Sequence, residues 1–371
     1  MRIGLFTDTY FPEINGVANS TYTLKHALER RGHEVFVFTS TTKEEVEEDH
    51  VIRIRSVDAR IAKDRRIALP FLSYWKRRIK RYQLDLIHTQ TEFTVGYLGR
   101  VAAIYAGIPH IHTYHTMYED YTHYLRVPKN EKLKPVVCRL SRWFCNDADG
   151  IIVPTEKVKH RLEDYRVYRR VDVIPTGLSQ EKYRRVDGDH VLALKEHYEL
   201  NGTTVFLFVG RLAKEKNVDE LLRYFARVPG EDLRLMIVGD GPEARRLQKI
   251  QQNLADPRVI FTGYVDWEEI QDYYALGDVF VSSSTSETQG LTYNEALAGG
   301  LKLLVRRDPC LEGVLLEGVN GYGFASSDEF VAQLPRALDL AFGGGELYSD
   351  DDFAALVEEV YRKNIRALRA G

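Results

Sequence analysis

Two glutamates stand eight positions apart in the run SETQGLTYNEAL, residues 286–297. The apolar run before them is typical of a buried strand, and the apolar pattern after Gly290 is helical. Glu287 is therefore expected in a loop that follows a strand, and Glu295 about 7.5 Å along the axis of the next helix. The free amides of Gly290 and Leu291 at the start of this helix lie between the two carboxylates and favour an anion.

Two cations follow an earlier predicted strand in the same half of the chain. Arg211 and Lys216 stand in GRLAKEKN, residues 210–217, after a glycine and before a helical pattern. A guanidinium and an ammonium group at the end of a strand and near the start of a helix form a suitable clamp for a diphosphate. Taken alone, the segment is equally well interpreted as two solvated surface charges.

One class of ligand uses all of these groups together: a sugar joined through a diphosphate to a nucleoside. Glu295 would accept hydrogen bonds from the two ribose hydroxyls, and Glu287 would accept them from hydroxyls of the sugar. The helix amides, Arg211 and Lys216 would hold the diphosphate. The alternative for Glu295, an ordinary solvated residue of the helix, is disfavoured only because the other groups converge on one ligand.

These groups depend on strands that bring their carboxyl ends to one edge of a sheet. Short β-like runs alternate with helical patterns in both halves of the chain, which predicts βαβ units and parallel sheets. The predicted strands are residues 2–8, 34–40, 51–57, 85–90, 109–115, 150–155 and 171–177, then 203–210, 233–240, 258–265, 278–284 and 302–307. We therefore predict an α/β fold with two Rossmann-like, doubly wound domains that face a cleft, the first of them residues 1–177.

The loop after the first predicted strand, TDTYFPEINGVANS, carries Gly16 just before a helical pattern. Asn19 or Ser20 could cap this helix. A glycine here lets the backbone approach a phosphate or a sugar closely. Because many strand–helix turns carry a glycine for packing alone, that alternative stays open.

Charge is unevenly distributed along the chain. The net charge of −3 is the balance of +7 in residues 1–177 and −10 in residues 178–371. The basic first half indicates contact with an anionic surface, and its most basic segment is 53–82.

The run LPFLSYWKRRIKRY within this segment predicts a basic amphipathic helix able to lie on anionic lipid. Its apolar stripe consists of Phe71, Trp75, Ile79 and Tyr82. The residues assigned to membrane or acceptor contact are Trp75, Lys76, Arg77, Arg78, Lys80 and Arg81. For the stripe we favour the alternative, a helix whose apolar side packs on a sheet while its charges are solvated.

Other classes of protein are disfavoured. No apolar run approaches the length of a transmembrane helix, and the N-terminal run becomes polar too quickly for a signal peptide. Cys138, Cys145 and Cys310 form no CxxC pair, which argues against a zinc site or a disulfide framework. A reduced, cytosolic protein is the plain expectation.

The motifs of the second half resemble those of the retaining glycosyltransferases of family 4, which have the GT-B fold. SETQGLTYNEAL resembles their E-x7-E motif, GRLAKEKN their diphosphate loop and VGDGPE their following strand end. In the first half, NGV at 15–17 resembles their glycine loop, and the similarity extends over nearly the whole chain. HTYHTMYEDYTHY, residues 112–124, together with SETQGLTY is more similar still to bacterial diacylglycerol glucosyltransferases and related glycolipid synthases, which also carry Gln289.

The resemblance implies further residues and a reaction. His115 would contact the donor hexose near its 6-hydroxyl, and Tyr264 and Val265 would lie near the nucleobase of the donor. The second domain, residues 178–350, would bind the nucleotide sugar, and a C-terminal helix in 351–371 would pack back on the first domain. The reaction would be transfer of glucose or galactose from a UDP-sugar to a membrane lipid, diacylglycerol or monohexosyldiacylglycerol. Retention would give an α-glycosidic bond at the inner face of the cell membrane.

Two motifs suggest a metal, but we predict that no metal is required. DAD at 147–149 resembles the DxD of another glycosyltransferase fold, yet it precedes a buried-looking strand and is more typical of a helix end. The histidines at 110, 112, 115 and 123 lack the carboxylates and cysteines of a closed site. His110 and His112 share a strand face, which favours a structural role.

The acceptor side leaves several alternatives open. Glu119 and Asp120 could orient the acceptor hydroxyl, and a solvated loop is equally plausible. A lipid-linked sugar of capsule or cell-wall synthesis fits a basic first domain as well as a glycolipid does. A UDP-sugar 2-epimerase and a non-catalytic nucleotide-sugar-binding protein are the alternatives of another class.

Overall fold

The computed structural model describes residues 1–42, 46–58, 66–69, 71–117, 134–341, 344–345 and 347–370. The chain forms two compact units. Unit 1 contains Met1–Gly177 and Tyr348–Gly371, and unit 2 contains Leu178–Leu347. The return to unit 1 therefore comes shortly before residue 351, where the C-terminal segment was expected to begin.

The strands in chain order are β1 Arg2–Phe6, β2 Glu34–Ser40, β3 Val51–Ile54, β4 Ser56–Asp58, β5 Arg66–Ala68, β6 Leu86–Thr89, β7 His110–Thr113, β8 Gly150–Val153, β9 Val171–Val173, β10 Thr204–Val209, β11 Leu233–Val238, β12 Val259–Gly263, β13 Val279–Ser282, β14 Lys302–Arg306 and β15 Gly321–Phe324.

The helices in chain order are α1 Gly16–Arg30, α2 Leu72–Lys80, α3 Thr94–Ala106, α4 Lys134–Asp147, α5 Glu156–Asp164, α6 Gln180–Arg184, α7 Gly188–His197, α8 Val218–Phe225, α9 Ala244–Leu254, α10 Ile270–Tyr274, α11 Leu291–Ala298, α12 Ser327–Asp339 and α13 Asp350–Ala370.

Unit 1 contains a seven-stranded parallel sheet in the order β3-β2-β1-β6-β7-β8-β9. The strands are largely buried on both faces, as parallel strands covered by helices are expected to be. The strand expected at 51–57 is two elements: β3 joins the sheet, and β4 pairs antiparallel with β5.

The start of α1 differs from its prediction. Asn15 is the N-cap, and its Oδ1 accepts from the backbone amides of Val17 and Ala18 at 3.1 and 3.0 Å. Asn19 and Ser20 are therefore residues within the helix, not caps. The sequence does not indicate this helix start, because the run before Val17 is polar and glycine is a poor helix former.

The C-terminal helix α13 packs within unit 1. Phe353, Val357 and Tyr361 join the same apolar core as β1 and β2, and the Tyr361 hydroxyl lies 2.6 Å from Nδ1 of His88. Glu358 accepts a hydrogen bond from Nε of Arg31 at 2.9 Å. Burial alone would raise the pKa of Glu358, but hydrogen bonds from the neighbouring arginines lower it to about 2.

Unit 2 contains a six-stranded parallel sheet in the order β12-β11-β10-β13-β14-β15. Strand order runs outward in one direction from β10 and in the other from β13, so the pair β10–β13 is the topological switch point. In open α/β sheets the ligand crevice lies outside the carboxyl ends of the strands at this point. The prediction of two parallel-sheet α/β domains is confirmed.

Candidate active site

The loops after β10 and β13 lie side by side in unit 2. The two strands are parallel neighbours, with Phe206 opposite Val279 and Leu207 opposite Phe280. The side-chain amide of Asn217, at the end of the β10 loop, donates to the carbonyl of Ser283 at 3.2 Å. The two loops that carry Lys216 and Glu287 therefore meet at the switch point of a single sheet.

Lys216 and Glu287 face each other across these two loops. Nζ of Lys216 lies 2.5 Å from Oε1 of Glu287, and the two side chains are only 21% and 14% exposed. An ion pair this sheltered is less screened than a surface pair, so its partners hold each other in place. Arg211, which opens the β10 loop, is exposed at the same end of the strand.

The start of α11 requires a glycine. Gly290 is the N-cap, with a left-handed backbone at φ 73°, and a Cβ there would collide with the ring of Tyr293. Gln289 before it is buried, and Leu291 is the first residue of the helix. Because residue 290 has no side chain, no cap hydrogen bond covers the first amides of α11. These amides remain aimed at the switch point, where the macrodipole favours an anion.

Glu295 is buried in α11, so it is not a solvated helix residue. Its Oε2 accepts from the hydroxyl of Tyr274 at 2.7 Å, and Tyr183 also favours the ionised form of this carboxylate. Burial raises the pKa of Glu295, while the two tyrosines and the charge of Lys182 act in the opposite direction. Sequence reasoning missed Lys182, Tyr183 and Tyr274, because they come from α6 and α10, far away along the chain.

The segment after β11 packs against the β10 loop. A Cβ at Gly239 would collide with the carbonyl oxygen of Gly210, and φ at Gly239 is 127°. Asp240 accepts from the amide of Leu212 at 2.9 Å through its backbone carbonyl. The segment VGDGPE, residues 238–243, therefore packs its backbone closely against the loop GRLAKEKN, residues 210–217, and supports the shape of that loop.

The loop after β13 also holds three buried hydroxyls. The Oγ atoms of Ser283, Ser284 and Ser286 have no hydrogen-bond partner within the part of the chain that the structure describes. Ser283 and Ser284 are fully buried. Buried polar atoms are nearly always paired, so unpaired hydroxyls beside Lys216 and Glu287 are suited to a polar ligand.

The residues expected to contact the nucleobase of the donor follow β12 in the same unit. Tyr264 is 61% exposed, whereas Val265 is half-buried against the apolar core beneath the switch point.

Two predicted residues belong to unit 1. Nε2 of His115, which follows β7, lies 2.7 Å from Oε1 of Gln90. Burial lowers the pKa of His115 to about 3, so its imidazole is neutral at physiological pH. Gly16 is exposed at the first position of α1, and a Cβ there would meet no atom within 4 Å. Packing therefore does not require a glycine at this position.

The other histidines of the β7 strand are structural, as predicted. Oγ1 of Thr89 lies 2.9 Å from Nε2 of His110 and 2.9 Å from Nδ1 of His112, both buried in the sheet. In DAD, Asp147 ends α4, as predicted, and pairs with Arg100, while Asp149 accepts from the amide of His110. Among the described residues no three His, Cys, Asp or Glu side chains are grouped in a way that could hold a metal ion.

The helix predicted at the basic segment is α2, and its apolar stripe is divided. Trp75 and Ile79 are buried in the core of unit 1, so the sheet-packing alternative is correct for them and Trp75 is not open to a membrane. Phe71, at the other end of the stripe, is 77% exposed. The exposed cations are Arg77, Arg78, Lys80 and Arg81. Arg78 donates to the Tyr74 hydroxyl at 2.7 Å.

Glu119 and Asp120 lie outside the described residues, as does the side chain of Lys76 in α2. No helix in the described part of the chain combines the length and the apolar character needed to cross a membrane.

Comparison with known proteins gives consistent matches. The profile of Glycosyltransferase Family 4 matches residues 14–182, and that of Glycosyl transferases group 1 matches residues 193–348. The alpha-monoglucosyldiacylglycerol synthase of Streptococcus pneumoniae is 42% identical over 91% of this chain and 78% of its own length. The synthase of the same name from Acholeplasma laidlawii is 35% identical over 99% of this chain and 96% of its own length.

A solved structure supports the fold. The Anabaena protein HepE in complex with UDP and glucose superposes with a TM-score of 0.78, at 16% sequence identity, over 97% of this chain and 99% of that one.

Proposed function

The chain belongs to glycosyltransferase family 4, the retaining enzymes of GT-B fold, and on this premise we propose that it transfers glucose from UDP-glucose to diacylglycerol. The observation that carries the proposal is the 42% identity, over 91% of the chain, to a protein named alpha-monoglucosyldiacylglycerol synthase. The product would be the α-glucoside of the lipid, because a retaining enzyme keeps the configuration of an α-linked donor.

The donor is held in this proposal by the loops of unit 2. Lys216, Arg211 and the amides at the start of α11 bind the diphosphate, and Glu295 accepts hydrogen bonds from the ribose hydroxyls. The nucleobase of the donor contacts Tyr264 and Val265. The buried hydroxyls after β13 support a polar ligand at this position because they have no partner in the described structure.

The reaction breaks the bond between the anomeric carbon and the β-phosphate oxygen, and negative charge develops on the leaving diphosphate. Lys216, Arg211 and the helix dipole stabilise this charge before the acceptor bond is complete. The acceptor hydroxyl attacks from the same face, forms the new bond to the anomeric carbon and gives its proton to a diphosphate oxygen. UDP then leaves with the proton, and no covalent enzyme intermediate is formed.

Glu287 has two functions in this scheme. In the donor-free protein it compensates the charge of Lys216 through the ion pair at 2.5 Å. With the donor bound, the diphosphate supplies the counter-charge, and Glu287 can accept hydrogen bonds from hydroxyls of the hexose. Gln289, buried beside it, supports the same loop.

His115 contributes a neutral imidazole. Because its pKa is lowered to about 3 by burial, it carries no charge that would repel a developing positive charge on the sugar ring. With Nε2 engaged by Gln90, the ring is fixed in orientation. We assign it a hydrogen bond to a hydroxyl of the transferred hexose.

The lipid acceptor lies in a membrane, and unit 1 has a basic and apolar surface suited to anionic lipid. The exposed cations of α2 lie beside exposed Phe71 and Tyr74. On α4, Val136, Leu140 and Trp143 are about half exposed and lie at helical spacing between exposed arginines. Basic and apolar side chains together favour attachment to the surface of anionic lipid, here the inner face of the cell membrane.

The test is release of UDP, with the lipid product identified by mass spectrometry. UDP-glucose and UDP-galactose are each supplied with vesicles that contain diacylglycerol or monoglucosyldiacylglycerol, with and without anionic lipid. We expect glucosyldiacylglycerol from UDP-glucose, faster on anionic vesicles. Product only with a lipid-linked sugar would move the protein to polysaccharide synthesis, and epimerised sugar without acceptor would make it an epimerase. Tight UDP-glucose binding with no product from any acceptor would make it a binding protein.

A further inference from the structure

A lysine on a short helix connects two parts of unit 2 that the sequence did not link. Nζ of Lys182, on α6, donates to the backbone carbonyl of Trp267 at 2.7 Å and lies 3.0 Å from the centroid of its indole ring. Trp267 belongs to the segment after β12 that begins with Tyr264 and Val265. One ammonium group therefore fixes both the backbone and the ring of this segment.

The charge of the same lysine acts on the buried carboxylate of α11. Helices α6 and α11 pack together, and the charge of Lys182 lowers the pKa of Glu295, which burial raises. Tyr274 of α10 donates a hydrogen bond to this carboxylate, and the neighbouring residue Tyr183 also favours its ionised form. These are the titratable groups that face Glu295 among the described residues, and Glu268 is the further acid that acts on Lys182.

We infer that Lys182 is a positioning residue for the nucleoside of the donor: it holds the Tyr264–Trp267 segment in place and, with Tyr274, keeps Glu295 as the anion that receives the ribose hydroxyls. The inference rests on the proposed use of a uridine diphosphate donor and extends it to residues outside the known motifs.

The chemistry favours such an arrangement. A carboxyl group accepts hydrogen bonds from two hydroxyls best when it is ionised, because the protonated form has weaker acceptors and turns one oxygen into a donor. Burial favours the neutral acid, and the two tyrosines together with a nearby ammonium group favour the anion.

The arrangement also has a cost for Lys182 itself. Burial lowers the pKa of Lys182 to about 8, against the opposing charges of Glu295 and Glu268. The ammonium group is thus charged at neutral pH and loses its proton under mildly alkaline conditions. A lysine that only held Trp267 in place would not need a carboxylate near it.

The test measures the affinity of the full-length protein for UDP by calorimetry, with Lys182→Met and Tyr274→Phe compared with wild type. Lys249→Met, on the exposed side of α9, is the matched control. At about pH 6.5 we expect each of the two variants to bind UDP several-fold more weakly, because a larger fraction of Glu295 is protonated once a group that favours its anion is removed. The control should bind as wild type does.

Two further measurements separate this role from a structural one. With 2′,3′-dideoxy-UDP, which has no ribose hydroxyls, the difference between Lys182→Met and wild type should become clearly smaller, because only the contribution of the Tyr264–Trp267 segment then remains. As the pH rises to about 9, the ratio of affinities for UDP should fall toward one, because Glu295 ionises in the variant and Lys182 becomes neutral in the wild type.

Each outcome has one meaning. Equal loss of affinity for UDP and for the dideoxy analogue, or a ratio that stays constant with pH, would overturn the inference in favour of a structural tie. Wild-type affinity in both variants would also overturn it. Failure of the wild-type protein to bind UDP would instead refute the proposed donor. Tyr274→Phe keeps the shape of the core and so remains informative if Lys182→Met is poorly folded.

Discussion

Nζ of Lys216 lies 2.5 Å from Oε1 of Glu287, although the two residues come from different loops, one after β10 and one after β13. The pair joins the two loops at the switch point of the sheet in unit 2. Because a diphosphate carries more negative charge than one carboxylate, it would compete well for the same ammonium group. The ion pair thus holds Lys216 where the leaving group is expected.

Replacing Lys216 by alanine should reduce turnover strongly. The ammonium group stabilises charge that develops on the leaving diphosphate, and losing one such contact costs about 3 kcal/mol, roughly a hundredfold in rate. The measurement is kcat and KM for UDP-glucose from steady-state UDP release on diacylglycerol vesicles.

Lys214→Ala is the control for this prediction, since Lys214 is exposed in the same 3₁₀ turn. It should leave kcat within about twofold of wild type, as surface charges usually do. Near-normal turnover of Lys216→Ala would remove Lys216 from the catalytic group.

Replacing Glu295 by glutamine should raise KM for UDP-glucose more than it lowers kcat. The amide keeps the size of the side chain and its contact with Tyr274, but it cannot accept two charge-assisted hydrogen bonds from ribose. Such bonds contribute about 1.5–3 kcal/mol, so KM should rise roughly 10–100-fold. Glu196→Gln, exposed on α7, provides the comparison in the same steady-state assay. An unchanged KM for Glu295→Gln would show that the ribose is bound elsewhere.

The βαβ organisation was predictable from sequence because buried parallel strands consist of nearly continuous apolar residues. The run 34–40 coincides with β2, and 302–307 overlaps β14. Strand β15, GYGF, was missed because two of its four residues are glycine, and it is a strand only through its pairing with β14. Local composition carries no information on such pairing.

The candidate site was predictable only in part, for a similar reason. Glu287, Gly290 and Glu295 are close in sequence, so helix geometry alone relates them. The contacts of Glu295 with Tyr183 and Tyr274 join three separate helices, and their pairing depends on how α6 and α10 pack against α11. Periodicity predicts that each helix exists, but it does not predict which polar side chains meet in the packed core.

Replacing Gly290 by alanine should destabilise the protein and impair the site. The left-handed backbone alone costs an alanine about 1–2 kcal/mol, and the new Cβ collides with the ring of Tyr293. Gly300→Ala is matched to it, because Gly300 has φ 87° with no atom within 4 Å of a Cβ. We expect a loss in the free energy of unfolding of about 1 kcal/mol for Gly300→Ala and clearly more for Gly290→Ala, measured by denaturant titration. Equal losses would mean that Tyr293 moves aside freely.

The stability of unit 1 should fall in mild acid. Burial lowers the pKa of His110 to about 3, below its value of about 6.5 in the unfolded chain, so the unfolded state binds the proton more readily. The stabilisation is therefore complete above about pH 6.5 and is lost as the pH falls toward 3. Between pH 6.5 and 5 this histidine should cost about 2 kcal/mol in the free energy of unfolding. Burial also lowers the pKa of His88 and of His115, so both add to the loss of stability in acid.

The measurement is denaturant titration of wild type and His110→Gln at several pH values. The variant should lose less stability on acidification than wild type does. His160→Gln, at an exposed histidine of α5, should keep the wild-type slope. A slope that His110→Gln leaves unchanged would assign the acid sensitivity to other groups.

Replacing Gly16 by alanine should separate activity from stability. Gly16 is the first residue of α1, its φ is not positive, and a new Cβ would meet nothing within 4 Å, so alanine should keep or raise the free energy of unfolding by about 0.4–1 kcal/mol. If the backbone there approaches the donor closely, the added methyl group should raise KM for UDP-glucose or lower kcat by about tenfold or more. Gly188→Ala is a close match, since Gly188 also opens a helix, α7, behind a side-chain cap and also has open space around a Cβ. It should gain similar stability and keep full activity. Full activity in both variants would mean that no ligand approaches Gly16.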